Sequence, residues 1–138
     1  TRYESSAASD VYKRQPKLRL EISNSISQFA TSCIDVSDGF IADLEKILIP
    51  SNQGAVINLD KIPRIDKSSL EDFTFGDDLE LIFTADKKYH KKIMKLSDDS
   101  RINISLLGQT KKNSGIKYLL NSDEVLFPRK KGWNHGKK

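Results

Sequence analysis

One cysteine, one methionine and one tryptophan in 138 residues set the first limits on this chain. A single thiol, Cys33, cannot close an internal disulfide. Its apolar neighbours point to a buried, reduced thiol and a cytoplasmic setting. Long apolar runs are missing as well. Those around Ile47 to Ile49 and Leu79 to Phe83 fall far short of the roughly 20 residues a membrane-spanning helix needs. There are neither internal repeats nor low-complexity segments. What remains, with 37% hydrophobic residues and a mean hydropathy of -0.52, suits one soluble domain of ordinary size rather than a disordered chain.

Charge is unevenly placed. Of the formal +4, residues 1–15 contribute +1 and residues 129–138 contribute +5, which leaves -2 on Pro16 to Pro128. The pI of 9.1 therefore describes two ends and not a basic body, which weakens the case for a nucleic-acid surface. Residues 1–15 lack both periodicity and the apolar centre of a signal peptide, and SSAASDVYKRQ resembles a translated sequencing adapter. They are read as an artefactual or disordered leader, with the expectation that the natural gene extends further upstream. Residues 16–128 are read as the domain, and 129–138 as a basic tail.

Along the body, helical and strand patterns alternate. Glu21 to Thr31 reads as a helix with Ile22, Ile26 and Phe29 on one face, and Cys33 to Val36 as a short buried strand. Gly39 to Ile49 is a helix with Phe40, Ile41, Leu44, Ile47 and Leu48 at helical spacing, ended by Pro50. Ala55 to Leu59 is a strand, Ser68 to Phe73 one or two helical turns, and Leu79 to Thr84 a strand buried mostly on both sides. Lys87 to Leu96 is an amphipathic helix with Tyr89, Ile93 and Leu96 inward and a lysine-rich, solvated outer face. Ile102 to Leu107 and Ile116 to Leu120 read as two strands flanking a loop, GQTKKNSG. The expected class is α/β in the broad sense, α+β in detail: a mixed β-sheet covered by helices.

Two acidic knots lie at strand and helix junctions. In CIDVSDGFIADL, Asp35 and Ser37 share one side of a strand and Asp38 begins the turn into the helix. The segment by itself favours a simple cap, with Ser37 or Asp38 on the helix start. One cap suffices, however, and Asp35 is left at the end of a buried strand, where a carboxylate needs a cation or donors. Two aspartates could hold Mg²⁺ while the serine hydroxyl and the helix N–H groups take a phosphate oxygen. The second knot, FGDDLELIF, sets Asp77 and Asp78 before the next strand, and by itself reads as a glycine turn with solvated carboxylates. Strand ends on one rim of a sheet are where open α/β sheets bind ligands.

IDVSDGFIADLEKI, GAVINLDKIP, GDDLELIFT, LLGQT and KGWNH, in that order, resemble the carboxy-terminal domain of thiamine-monophosphate kinases, within the aminoimidazole ribonucleotide synthase superfamily. The resemblance implies that superfamily's carboxy-terminal fold and a kinase that transfers the ATP γ-phosphate to thiamine monophosphate with Mg²⁺. It also implies a missing amino-terminal domain, a homodimer when complete, and a chain inactive by itself. Carried over by position, Asp35 and Asp38 are metal ligands and Ser37 contacts ATP. Asp77 and Trp133 hold the substrate, whose thiazolium cation suits a carboxylate and an indole face. Where the family has GGEDYE this chain has FGDDLE, which puts the substrate pocket, not the metal motif, in question. The alternatives are another ATP-dependent enzyme of the superfamily and a non-catalytic module binding nucleic acid through Trp133 and the basic tail. His90 and His135 carry no expected catalytic role.

Overall fold

The computed structural model describes residues 20–63, 73–74, 80–112 and 115–127. The leader, the tail with Trp133 and His135, the expected turns from Ser68, and both aspartates of the second knot lie outside the described residues. In chain order the elements are α1 (Leu20–Ser27), β1 (Ala30–Asp35), α2 (Phe40–Leu48), β2 (Gln53–Asn58), a 3₁₀ turn Leu59–Lys61, β3 (Leu81–Ala85), a 3₁₀ turn Lys87–Tyr89, α3 (His90–Ser100), β4 (Gly108–Lys112), β5 (Ile116–Leu120) and β6 (Asp123–Val125).

The described strands form two sheets. β1 and β3 make an antiparallel ribbon in which Cys33 faces Phe83 and Asp35 faces Leu81. The other sheet has the order β4-β2-β5-β6, with β2 antiparallel to β4 and parallel to β5. It is mixed, as expected, because β2 and β5 are separated by enough chain for a crossover while β5 and β6 are joined by a tight turn. α2 supplies the centre of the core. Phe40, Ile41, Leu44 and Leu48 pack with Ala55 and Ile57 of β2, Leu59, Phe73 and Tyr118.

Several boundaries differ from the sequence reading, each for a local reason. α1 stops at Ser27, and Phe29 leaves the helix to lie 6.2 Å from the Phe83 ring and 6.0 Å from Tyr89. Ile102 to Leu107 is not a strand. The start of the segment is held by serine side chains: Ser97 Oγ accepts from the Ile104 N–H and donates to the Ile102 carbonyl. The strand forms instead in GQTKK, a loop by its polar side chains, because Gly108 admits the close approach of β2; a Cβ there would collide with the Val56 carbonyl oxygen. β3 is half-buried throughout, not buried mostly on both sides: among the described residues β1 is its one strand partner, with Ile82 against the core and Phe83 against Phe29. β6 has no counterpart in the sequence reading. It returns through Asn121 and Ser122, both at positive φ, the geometry of a tight hairpin, and the Asn121 N–H is held 2.8 Å from Asp60 Oδ2.

Candidate phosphate and metal site

The first acidic knot sits between the end of β1 and the start of α2, and its turn is not closed as a simple cap. Gly39 is the N-cap, at φ 109° and ψ 149°, and no side chain caps the helix there. Ser37 and Asp38 do not do the capping. The turn is held instead by Asp43, one turn into α2, whose Oδ2 accepts the backbone N–H groups of Ser37 at 2.8 Å and Asp38 at 2.9 Å. Lys46 closes the arrangement, its Nζ 2.6 Å from Asp43 Oδ1 and 2.5 Å from Asp38 Oδ2.

Asp43 is wholly buried, with 0% of its side chain exposed, and such a group is tolerated because donors surround it. Burial by itself would raise its carboxyl, but the Lys46 ammonium and the N–H groups of Asp38 and Ser37 outweigh this and hold it below the ordinary carboxylate range. Sequence reasoning missed both Asp43 and Lys46. A signal was present: in FIADLEKIL, position 43 falls on the apolar face with Phe40, Leu44 and Ile47, where an aspartate needs a reason.

β1 alternates half-buried and exposed, so Thr31, Cys33 and Asp35 share the open face. This corrects two expectations. Cys33 is an exposed thiol, and Asp35 is not desolvated at the end of a buried strand, because nothing in the described chain covers the outer face of the ribbon. Partial burial, and secondarily the Asp35 charge, push the Cys33 thiol up, which makes it a poor nucleophile at neutral pH. The Asp35 carboxylate and the Ser37 hydroxyl have no hydrogen-bond partner among the described residues.

Described residues on either side of the second knot both reach the first. A Cβ on Gly39 would lie 2.5 Å from the Thr74 carbonyl oxygen, so glycine at 39 permits that contact as well as the positive φ. From the other side the Val36 N–H donates to the Glu80 carbonyl at 2.8 Å. Thr74 and Glu80, three residues before and after Asp77 in sequence, thus both touch the Val36 to Gly39 turn. Asp77 itself lies outside the described residues, as does Trp133.

The donor chemistry suits a hard cation. Asp35, Asp38 and Ser37 offer carboxylate and hydroxyl oxygens beside a helix start, and Mg²⁺ is usually held by one or two carboxylates with phosphate oxygens and water completing its shell. Among the described residues no three histidine, cysteine, aspartate or glutamate side chains converge. A cleft of about 360 Å³ between α1 and α3, lined by Phe29, Tyr89, Lys92 and Lys95, shares no residue with this turn.

The mixed sheet, the β1–β3 ribbon and the helices make the chain an α+β domain, and solved structures identify its fold as aminoimidazole ribonucleotide synthase-like. The fold matches thiamine-monophosphate kinase from Stenotrophomonas maltophilia with a TM-score of 0.67 at 25% identity, over 80% of this chain and 37% of that one. It also matches an AaThiL structure complexed with AMPPCP and TMP, with a TM-score of 0.63 at 23% identity, over 88% of this chain and 38% of that one. In sequence the chain is a relative of the thiamine-monophosphate kinases and corresponds to their C-terminal part. It is 35% identical over 131 residues to the kinase of Buchnera aphidicola from Acyrthosiphon pisum, 87% of this chain and 40% of the relative. It is 31% identical over 120 residues to that of Leptospira interrogans, 81% of this chain and 37% of the relative. No protein-family model matches the chain. The chain spans about two fifths of the length of these curated relatives.

Proposed function

We propose that this chain forms the substrate- and metal-facing part of a kinase that transfers the ATP γ-phosphate to thiamine monophosphate, giving thiamine diphosphate. The observation that carries the reading is the Asp43 anchor. By holding the Ser37 and Asp38 N–H groups it fixes the turn beside which the exposed Ser37 hydroxyl and Asp35 carboxylate lie, and neither of these has a hydrogen-bond partner among the described residues. Asp35 and Asp38 would hold Mg²⁺, which when bound neutralises phosphate charge, and the Ser37 hydroxyl would donate to a phosphate oxygen of ATP. Asp77, carried between Thr74 and Glu80, and Trp133 would take the thiazolium cation by charge and by its aromatic face. An oxygen of the substrate phosphate attacks the γ-phosphorus in line, the bond to the ADP oxygen breaks, and no protein nucleophile takes part. The complete enzyme would carry further nucleotide ligands in an amino-terminal domain, act as a homodimer and work in the cytoplasm, where an unpaired exposed thiol stays reduced.

The test is ATP-dependent formation of thiamine diphosphate by a complete protein containing this sequence. Asp35→Asn should remove at least about a hundredfold of kcat, in the range lost with one essential charge-stabilising group, while shifting stability by no more than about 0.5 kcal/mol because the group is exposed. Undiminished turnover in that variant would reject Asp35 as a ligand, and no turnover of thiamine monophosphate by the unaltered complete protein would reject the substrate. The 138-residue chain by itself is expected to show no turnover.

A further inference from the structure

Lys46 lies between two carboxylates in different situations. Asp43 has other partners, since its Oδ2 already accepts two backbone N–H groups and its side chain is fully enclosed. The Asp38 carboxylate is 31% exposed, and Lys46 is its side-chain partner among the described residues. Lys46 is itself 47% exposed, so both the ammonium and the outer carboxylate can be reached from solvent. A cation arriving there meets Asp38 already neutralised, beside an ammonium that has a second carboxylate to remain on.

We infer that Lys46 is a positioning residue that occupies Asp38 as a resident counter-ion and yields it to a divalent cation by staying on Asp43. The inference rests on the reading of Asp38 as a metal ligand. Three features make the exchange possible. Lys46 is one turn along α2 from Asp43, so its anchor is set by the helix and survives loss of the Asp38 contact. The Asp38 backbone stays fixed through its own N–H to Asp43, so its carboxylate is released without the turn opening. Finally, in the free protein the pairing lowers the negative charge that a nucleotide phosphate would meet at the turn. Lys46 therefore sets how tightly the turn binds a divalent ion, and it does so without touching substrate.

The test is titration of Mn²⁺, followed by electron paramagnetic resonance, into the 138-residue chain and its Lys46→Met, Lys46→Arg, Asp35→Asn and Asp38→Asn variants. Relief of one exposed ion pair should tighten Mn²⁺ binding by Lys46→Met about three- to fivefold. Lys46→Arg should stay within about twofold of the parent, because the counter-ion is kept. Lys46→Gln repeats the measurement if the methionine variant does not fold. A purely structural lysine would lower the melting temperature on removal without tightening Mn²⁺ binding. Equal or weaker binding by Lys46→Met, together with loss of binding in the two aspartate variants, overturns the role of Lys46 and leaves the metal reading intact. Binding that survives Asp38→Asn, or no binding at millimolar Mn²⁺ by the parent and Lys46→Met alike, overturns both.

Discussion

Asp43 shows how one buried side chain can set the form of a site it does not itself expose. Its two accepted N–H groups fix the backbone of Ser37 and Asp38, and without them two turn donors would be left unpaired. Asp43→Ala should therefore cost about 2–3 kcal/mol in chemical denaturation. The pH dependence has a definite sign. The folded carboxyl titrates below its ordinary 3.8, so its contribution is fully present above that pH and is lost as pH falls through the lower folded value. Asp43→Asn should flatten the loss of stability below pH 3.8, read from denaturation midpoints across the acid range. Tyr118 is the opposite case. Its hydroxyl is buried with no partner among the described residues, and burial, then the nearby Glu45 charge, hold it far above the ordinary tyrosine range. Tyr118→Phe removes an unpaired polar atom and keeps the ring, which lies edge-on to Phe127 at 5.2 Å. Its melting temperature should equal or exceed that of the parent.

At the level of elements, periodicity located the helices and backbone contacts decided the strands. α2 was legible because five apolar residues repeat at helical spacing and Pro50 follows. β4 was not, because GQTKK carries no apolar alternation; four of its five residues are exposed and its reason for being a strand is the partner β2. INISLL, the better strand by composition, lost its ladder to the hydroxyls of Ser97 and Ser100. Gly108 tests this account. Gly108→Ala drives a Cβ into the Val56 carbonyl, which is backbone and has no rotamer to relieve the clash. The substitution should cost about 1–3 kcal/mol or displace β4, seen as loss of amide protection in residues 108–112.

Across the whole molecule, packing is uneven. The core gathers around α2, β2 and Tyr118, while the β1–β3 ribbon is half-open on both strands. Two-stranded ribbons are marginal without a covered face, so amides of β3 should exchange faster than those of β2 and β5, measured by native-state hydrogen exchange. Equal protection would mean that the ribbon is covered more completely than its exposure indicates. The open face carries Asp35, which places the proposed ligand on the least covered sheet of the described chain. The sequence by itself determined the helical faces, the mixed character of the sheet and the order of the acidic knots, because these depend on local spacing and on how much chain separates paired strands. Tertiary structure decided what spacing cannot encode: that Asp43 and not Ser37 or Asp38 holds the turn, that Lys46 bridges two carboxylates, and that Thr74 and Glu80, on either side of the second knot, meet the first. Each of these is a contact across a turn or between distant segments, fixed by which backbone groups burial leaves in need of a partner.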